Sequence, residues 1–249
     1  MSAVASPVAQ ADTSLRYVAL GDSYASGVGA APYDPASGDC KRSPENYPHP
    51  WAAAHPALPL TDVTCSRATV ADARGSQLSA LNDATRLVTI TVGGNDARFT
   101  SVATTCLTGS DADCVAATQS ASAYAKTQMA TDLAALCTDI SARAPQALTV
   151  VLGYPHAVAD TGTCDVVDLG SVKRTAVNGF SDALAEGTKA AVSGKFAYFV
   201  DMWDQFSGHG ACGSDPWVNG VDLAEPTATF HPNAAGCTLG CTAKLNSIW

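Results

Sequence analysis

The amino-acid sequence predicts an α/β protein with a doubly wound parallel sheet of about five strands. Five short apolar runs are rich in β-branched and aromatic residues and show no polar–apolar alternation, as expected for strands covered on both faces. They span residues 16–20, 60–65, 87–92, 148–152 and 196–200. Segments with helical composition separate these runs, and such alternation implies right-handed crossovers between parallel strands.

The helices are expected between the strands and after the last one. They are placed at residues 71–84, 120–144, 171–193 and 233–249. Pro145 is expected to end the second helix, because proline disfavours a helical conformation in the residue before it, and Gly194 to end the third. Two segments rich in Gly, Pro and Asp, 30–47 and 209–230, are expected to be loops that build a site at the carboxyl ends of the strands.

The chain is expected to form one domain over residues 12–249. It contains no internal repeat, low-complexity tract or long linker, and 47% hydrophobic residues with 15% charged residues are typical of a globular protein. Residues 1–11 are mostly small and apolar, and Ala9-Gln10-Ala11 has the form of a signal-peptidase site. We interpret residues 1–11 as the remnant of a signal peptide or as an added tail; an ordinary flexible terminus is the alternative.

Charge and hydropathy exclude several classes of function. Fourteen basic residues against 23 acidic ones give a net charge of −9, which argues against nucleic-acid binding and provides no basic patch for an anionic membrane. No apolar run approaches the roughly 20 residues that a membrane-spanning helix needs, so no integral membrane segment is expected.

The nine cysteines indicate an oxidising compartment. They form no C-x-x-C pair and have no cluster of histidines beside them, so a zinc site is poorly supported. We expect a secreted protein with disulfides and without a metal or organic cofactor. The odd number of cysteines leaves at least one thiol free or paired between chains.

Three short motifs carry the predicted chemistry. Gly21-Asp22-Ser23-Tyr24 directly follows the first predicted strand, so Ser23 lies where α/β sheets bind ligands. Gly93-Gly94-Asn95-Asp96 follows the third, and the Asn95 amide is a neutral donor suited to a developing oxyanion. His231 precedes Pro232 near the C-terminus, and its near-neutral pKa range suits a general base.

Each motif also has an ordinary structural interpretation when taken alone. Ser23 would be a helix N-cap, Asn95 would belong to a common Gly-Asn-Asp turn, and His231 would be a surface histidine before a helix. The functional interpretation is favoured by the combination, because a serine, a hydrogen-bond donor and a histidine together form the set that acyl transfer requires.

The ordered motifs resemble the SGNH (GDSL-type) hydrolase family, in particular its secreted actinobacterial lipase and esterase branch. The resemblance runs from about Tyr17 to the C-terminus. The matching segments are residues 21–29, 40–43, 93–96, 152–155 and 231–232. The resemblance implies a three-layer α/β/α sandwich with a flavodoxin-like central sheet, which agrees with the alternation of strands and helices.

The resemblance also implies a role for each matched residue. Ser23 would be the nucleophile, and its amide would form an oxyanion hole with the Asn95 side chain and the Arg67 amide. His231 would be the base, oriented by the backbone carbonyl of Thr229. Many family members instead carry an aspartate three residues before the histidine, where this sequence has Ala228.

Two acids and one arginine leave alternatives open. Asp222 and Glu225 are reserve candidates for orienting the histidine, although each would more often be a solvated loop acid. Arg67 stands where the family usually has glycine, whose amide is an oxyanion donor. Arginine keeps that amide but adopts positive φ only at a cost, so the turn could be strained. Its side chain would either reach over the pocket to an anionic group or lie solvated at the surface.

The resemblance further implies the disulfides Cys40–Cys65, Cys106–Cys114 and Cys164–Cys212. Cys137 is expected to be a buried free thiol in the long helix. Cys237 and Cys241 have no evident counterpart in the family, and their close spacing makes good disulfide geometry between them uncertain.

Our leading hypothesis is a secreted serine carboxylic ester hydrolase, a monomer, that acts on a small ester or lipid through an acyl-enzyme. A phospholipase A1 or a carbohydrate O-deacetylase on the same scaffold is the nearest alternative. A binding module that has kept the fold without catalysis is the alternative from another class, and Arg67 is the one residue that favours it.

Overall fold

The strands form one parallel sheet at the centre of the protein. The computed structural model describes residues 15–167 and 169–249, so the predicted signal-peptide remnant at 1–11 lies outside the described residues. The strand order in the sheet is β2-β1-β3-β4-β5. The strands are β1 (Arg16–Gly21), β2 (Leu60–Asp62), β3 (Thr85–Thr91), β4 (Leu148–Leu152) and β5 (Ala197–Val200). The predicted α/β class and five-stranded parallel sheet are confirmed.

Helices cover both faces of the sheet. They are α1 (Ser23–Ser26), α2 (Pro48–Ala54), α3 (Val70–Ser76), α4 (Phe99–Thr108), α5 (Asp111–Tyr124), α6 (Ala130–Arg143), α7 (Ser171–Val192), α8 (Trp203–Phe206) and α9 (Ala243–Asn246). α3, α6 and α7 pack in succession on one side of the sheet, whereas α2 and α8 contact the segment just before α9 on the other. This arrangement gives three layers. No described helix is long and apolar enough to cross a bilayer.

Several predicted boundaries differ from those of the structure. The strand predicted at 60–65 ends at Asp62, because the Asp62 carboxylate accepts hydrogen bonds from the amide and hydroxyl of Thr64 and turns the chain. The helix predicted at 71–84 ends at Ser76 and is followed by a 3₁₀ turn, Gln77–Ala80.

The long predicted helix at 120–144 begins earlier in the structure. A capping box between Ser110 and Asp113 starts α5 at Asp111. A π-helical segment, Ala125–Met129, then joins α5 to α6. The closing helix predicted at 233–249 is mostly π-helical, over Gly236–Thr242, before the short α9.

Disulfides fasten the loops around the sheet. The structure contains three, Cys40–Cys65, Cys106–Cys114 and Cys164–Cys212, the pairs that the family resemblance implies. Cys137, Cys237 and Cys241 are buried free thiols. The first disulfide joins the long loop after α1 to the segment that follows β2, next to the carboxyl end of β1.

Candidate active site

The carboxyl ends of β1 and β3 lie side by side and bring two of the motifs together. Gly21, the last residue of β1, pairs with Thr91, the last residue of β3. The Asp22 amide donates to the Thr91 carbonyl at 2.8 Å, and the Gly21 backbone is held on both sides by the buried side chain of Gln77. Ser23 therefore leaves the sheet at a fixed position beside the loop that carries Asn95.

Ser23 and His231 lie within hydrogen-bond distance, although 208 positions separate them in the chain. The distance from His231 Nε2 to Ser23 Oγ is 2.8 Å. Both residues are largely buried, with exposed fractions of 8% for Ser23 and 6% for His231. A hydroxyl and an imidazole at this distance can pass a proton between them.

The other ring nitrogen of His231 faces the main chain. Nδ1 lies 3.1 Å from the Thr229 carbonyl oxygen, which fixes a proton on Nδ1 and leaves Nε2 free to accept from the serine. Asp222 and Glu225, the reserve candidates for orienting the histidine, have other hydrogen-bond partners. Glu225 accepts from Lys41 Nζ and the Tyr33 hydroxyl, both at 2.8 Å, and Asp222 accepts from two amides of its own loop.

Burial controls the protonation of His231. Desolvation lowers its pKa from the usual value near 6.5 to about 4, although the hydrogen bond to the Thr229 carbonyl acts in the opposite direction. The imidazole is therefore neutral at neutral pH. A neutral imidazole is the form that can take a proton from a serine hydroxyl.

The loop before His231 is held by Tyr24, the residue next to Ser23. The Tyr24 hydroxyl donates to the Phe230 carbonyl at 2.5 Å, and the Tyr24 ring lies 4.8 Å from the His231 ring between centroids. Phe230 has a φ of 59°, which bends the chain sharply before the histidine. Asn219 holds the main chain of His231 itself, since the Asn219 backbone amide donates to the His231 carbonyl at 2.9 Å.

Three N–H donors lie around the serine. They are the amides of Ser23 and Arg67 and the side-chain amide of Asn95, and all three residues line one cavity with Ser23 Oγ and His231. Within residues 15–167 and 169–249, neither backbone amide donates to a carbonyl. Asn95 Nδ2 donates one proton to the Ala68 carbonyl at 3.0 Å, which ties its side chain to the Arg67 turn and leaves the second proton available.

Asp96 and Tyr154 hold the Asn95 loop. The Asp96 carboxylate accepts from the Val70 amide at 3.0 Å, and burial raises the pKa of this carboxyl. On the other side, the Tyr154 hydroxyl accepts from the Gly94 amide at 2.9 Å and donates to Asp22. Asp22 is buried, and desolvation raises its pKa from the usual 3.8 to about 7.

The cavity above Ser23 has a volume of about 340 Å³ and two apolar walls. One face of α4 provides Phe99, Ala103 and Leu107, at intervals of four residues. The loop before the histidine provides Val221 and Leu223 opposite them. An apolar slot that opens next to a serine–histidine pair can hold the hydrocarbon part of an ester.

Family comparison agrees with this arrangement. The GDSL-like Lipase/Acylhydrolase family matches residues 19–239, which include both Ser23 and His231. The chain belongs to this family. GDSL family membership confirms the expectation of an enzyme of the esterase and lipase class, and the resemblance stated from the motifs is also confirmed.

The chain is similar to curated lipases from Streptomyces over nearly its whole length. It is 40% identical to Lipase 1 of Streptomyces coelicolor over 230 residues, which cover 92% of this chain and 85% of the relative. It is 41% identical to a lipase of Streptomyces rimosus over 247 residues, which cover 99% of this chain and 90% of the relative.

Two solved structures share the fold closely. A phospholipase A1 from Streptomyces albidoflavus has a TM-score of 0.89 at 41% identity, with 94% of this chain and 99% of that chain covered. An extracellular lipase from Streptomyces rimosus has the same TM-score at 39% identity, again with 94% and 99% covered.

Sequence reasoning missed several residues that shape the GDSL site. No helix was predicted at 99–108, although the apolar residues Phe99, Ala103 and Leu107 recur with helical spacing and could have indicated the cavity wall. The hydroxyls of Tyr24 and Tyr154 act over long sequence distances, and no local signal reveals their partners.

Other polar residues lie outside the cavity. His209 stacks on Trp217 with 3.6 Å between ring centroids, and His156 contacts Asp182 at 2.7 Å. Neither histidine lines the cavity. Among the described residues, no group of three or more His, Cys, Asp or Glu side chains could hold a metal ion.

Proposed function

We propose that the chain is a secreted serine carboxylic ester hydrolase in which Ser23 is the nucleophile and His231 is its base. The observation that carries the proposal is the 2.8 Å separation of Ser23 Oγ and His231 Nε2 in a buried setting. Family membership supports the reaction class, and the neutral histidine supports the direction of proton transfer.

The reaction follows from the positions of these groups. His231 Nε2 accepts the hydroxyl proton while Ser23 Oγ attacks the acyl carbon, and the carbonyl oxygen becomes an oxyanion. The tetrahedral intermediate collapses, and the alcohol leaves with the proton from Nε2. Water then attacks the acyl-enzyme as His231 takes its proton, and the acid leaves as Ser23 Oγ recovers a proton from the imidazolium.

The amides of Ser23 and Arg67 and the Asn95 side chain would stabilise the oxyanion. Donors of this kind act strongly because they are already oriented when charge develops, and loss of one typically lowers kcat by about 10²–10³-fold. The Thr229 carbonyl would hold the histidine tautomer. A carbonyl stabilises the imidazolium less than a carboxylate does, since it has no net charge.

Active-site labelling tests the proposal directly. A fluorophosphonate probe should add its mass to the peptide that contains Ser23, and Ser23→Ala and His231→Ala should each abolish ester hydrolysis. His209→Ala is the matched control, because His209 stacks on Trp217 outside the cavity. Labelling at another serine, or full activity in Ser23→Ala, would refute the assignment.

Phospholipase A1 activity is the second candidate. The 41% identical Streptomyces phospholipase A1 and the apolar cavity wall favour it. A carbohydrate O-deacetylase would have little use for that wall, since an acetyl group is too short to cover it. A panel of p-nitrophenyl esters of increasing chain length, compared with phosphatidylcholine and acetylated xylan, separates these substrates.

Secretion rests on the three disulfides and on similarity to an extracellular lipase. Enzyme activity in the culture medium of an expressing bacterium, lost when the cells lack their export machinery, is the expected result. The monomeric state stays a prediction, which light scattering on the purified protein tests.

A further inference from the structure

Arg67 adopts a backbone conformation that arginine rarely takes. It occupies a turn closed by the hydrogen bond from the Ala68 amide to the Cys65 carbonyl at 3.0 Å, with a φ of 65°. Glycine enters this left-handed region freely, whereas a residue with a Cβ does so at a cost. A strained residue beside a nucleophile is a candidate for a functional role.

The turn cannot relax easily to relieve this strain. The disulfide Cys40–Cys65 fixes its first residue, and the Ser66 amide donates to the Cys40 carbonyl at 3.0 Å. Asn95 Nδ2 holds the Ala68 carbonyl at the other end. The Arg67 backbone is therefore held beside the cavity, and its side chain departs from that fixed point.

Arg67 is exposed and lines the same cavity as Ser23 and His231. Among the described residues, no acid lies within ion-pair distance of it and no hydrogen bond engages it. This charge is thus available to a bound molecule. Guanidinium forms bidentate hydrogen bonds with the oxygens of phosphate or carboxylate.

Arg67 is the positively charged side chain in the cavity lining. His231 is neutral at neutral pH, and Lys41 is paired with Glu225 at 2.8 Å. The other ionisable side chain in the cavity lining is Asp222, whose carboxylate accepts two amides of its own loop. The cavity lining therefore carries the cation of Arg67 and the carboxylate of Asp222, and the α4 wall is apolar.

We infer that Arg67 binds the phosphate of a glycerophospholipid while its acyl chain lies against α4, so that Arg67 is a specificity-determining residue for phospholipid esters. This inference rests on the proposed function. The apolar wall accommodates the acyl side of the ester, so the anion must be on the alcohol side. In a glycerophospholipid the phosphate follows the ester within a few bonds, within the reach of an extended arginine side chain that starts at the oxyanion site.

Two soluble substrates with the same acyl chains test this inference. Dihexanoylphosphatidylcholine, used below its micellar concentration, carries the phosphate, and 1,2-dihexanoylglycerol lacks it. The readout is the ratio of kcat/KM for the first substrate to kcat/KM for the second. An effect of a substitution on the oxyanion hole cancels in this ratio, because the hydrolysis of both substrates depends on the oxyanion hole equally.

Arg67→Gln should lower this ratio about five- to tenfold, because it replaces the guanidinium with a shorter, uncharged polar side chain. Arg67→Lys should retain most of the ratio. Added NaCl should lower the ratio of the wild type but not that of Arg67→Gln. Arg98→Gln is the matched control, since Arg98 is also exposed with a φ of 62° but does not line the cavity.

An unchanged ratio in Arg67→Gln, or an equal fall in Arg98→Gln, overturns the inference. If the wild type hydrolyses dihexanoylglycerol through Ser23, but the ratio of kcat/KM values is the same in the wild type and in Arg67→Gln, the inference fails and the proposed function stands. If the wild type hydrolyses neither substrate and Ser23 is not labelled by a fluorophosphonate, the proposed function fails as well.

Discussion

The hydroxyl of Tyr154 joins Asp22 to the Asn95 loop. It donates to Asp22 Oδ2 at 2.5 Å and accepts from the Gly94 amide at 2.9 Å, while Asp22 Oδ1 accepts from the Tyr24 amide at 3.0 Å. Asp22 immediately precedes Ser23, and Gly94 immediately precedes Asn95. A single buried phenol thus sets the spacing between the proposed nucleophile and one proposed oxyanion donor.

Replacement of Tyr154 by phenylalanine should reduce both stability and activity. The Gly94 amide and the Asp22 carboxylate would lose a buried partner, which typically costs about 1–3 kcal/mol. We expect kcat to fall more than KM rises, because the donor geometry matters most in the transition state. Urea denaturation and steady-state hydrolysis of a p-nitrophenyl ester measure the two effects.

Tyr17→Phe is the control for this substitution. Tyr17 is also buried, and its hydroxyl lies 2.7 Å from the Thr89 hydroxyl, away from the cavity. It should lose stability without a matching fall in kcat. Equal kcat values for Tyr154→Phe and Tyr17→Phe would argue against a positioning role for Tyr154.

Asp22 should make the stability of the protein depend on pH. Its pKa is raised to about 7 in the folded state, so folding favours the protonated carboxyl. The resulting stabilisation is complete below about pH 4, the unfolded pKa, and is lost as the pH rises through about 7. The wild type should therefore lose free energy of unfolding relative to Asp22→Asn between about pH 4 and pH 8. Urea denaturation measures the free energy of unfolding of both proteins. A difference between the wild type and Asp22→Asn that stays constant with pH would contradict this prediction.

The buried histidine predicts an unusually acid-tolerant enzyme. Because burial lowers the pKa of His231 to about 4, the proposed base stays neutral in the free enzyme well below the ordinary histidine range. The acidic limb of kcat/KM for a neutral ester should have its midpoint near pH 4. A midpoint near 6.5, the unperturbed value, would show that the imidazole is solvated in the working enzyme.

The α4 wall should set the acyl preference. Ala103→Phe fills part of the cavity, so kcat/KM for a decanoate ester should fall about tenfold or more while the acetate ester is affected much less. Ser101→Phe is the matched control, since Ser101 lies on the same helix but not in the cavity lining. Equal effects on both ester lengths would place the acyl chain elsewhere.

The disulfide Cys40–Cys65 should support activity as well as stability. Its replacement by two alanines opens a loop of 25 residues, with an expected loss of about 2–4 kcal/mol in the free energy of unfolding. The Arg67 turn would also loosen, so kcat should fall under conditions where the variant is fully folded. The disulfide Cys164–Cys212 closes a longer loop of 48 residues and does not line the cavity, so its replacement by two alanines should affect stability more than kcat.

The sequence predicts the sheet and the motif residues because their signals are local. Strands buried on both faces are continuous apolar runs, and Ser23 and Asn95 directly follow two of them. α4 was not predicted because it starts without the usual signal: its N-cap is Arg98, in a left-handed conformation and with no side-chain hydrogen bond.

Contacts between distant segments could not be predicted from one sequence. Tyr154 and Asp22 are 132 positions apart, and Tyr24 and Phe230 are 206 apart. The π-helical segment Gly236–Thr242 also overrides the helical period that the sequence predicts for the C-terminus. Gly236 packs against the Trp217 carbonyl and Gly240 against the Phe206 ring, and both close approaches depend on the tertiary fold.

The hydrogen-bond partner of His231 Nδ1 is a main-chain oxygen, and this affects which mutations and conditions can inactivate the enzyme. A carboxylate in that position can be lost by one mutation or protonated in acid, whereas the Thr229 carbonyl persists whatever side chain residue 229 carries. Natural sequence drift at this position should therefore be well tolerated, as long as the backbone path is kept. The vulnerable element is the bend at Phe230, whose disruption would misplace the carbonyl and the imidazole together.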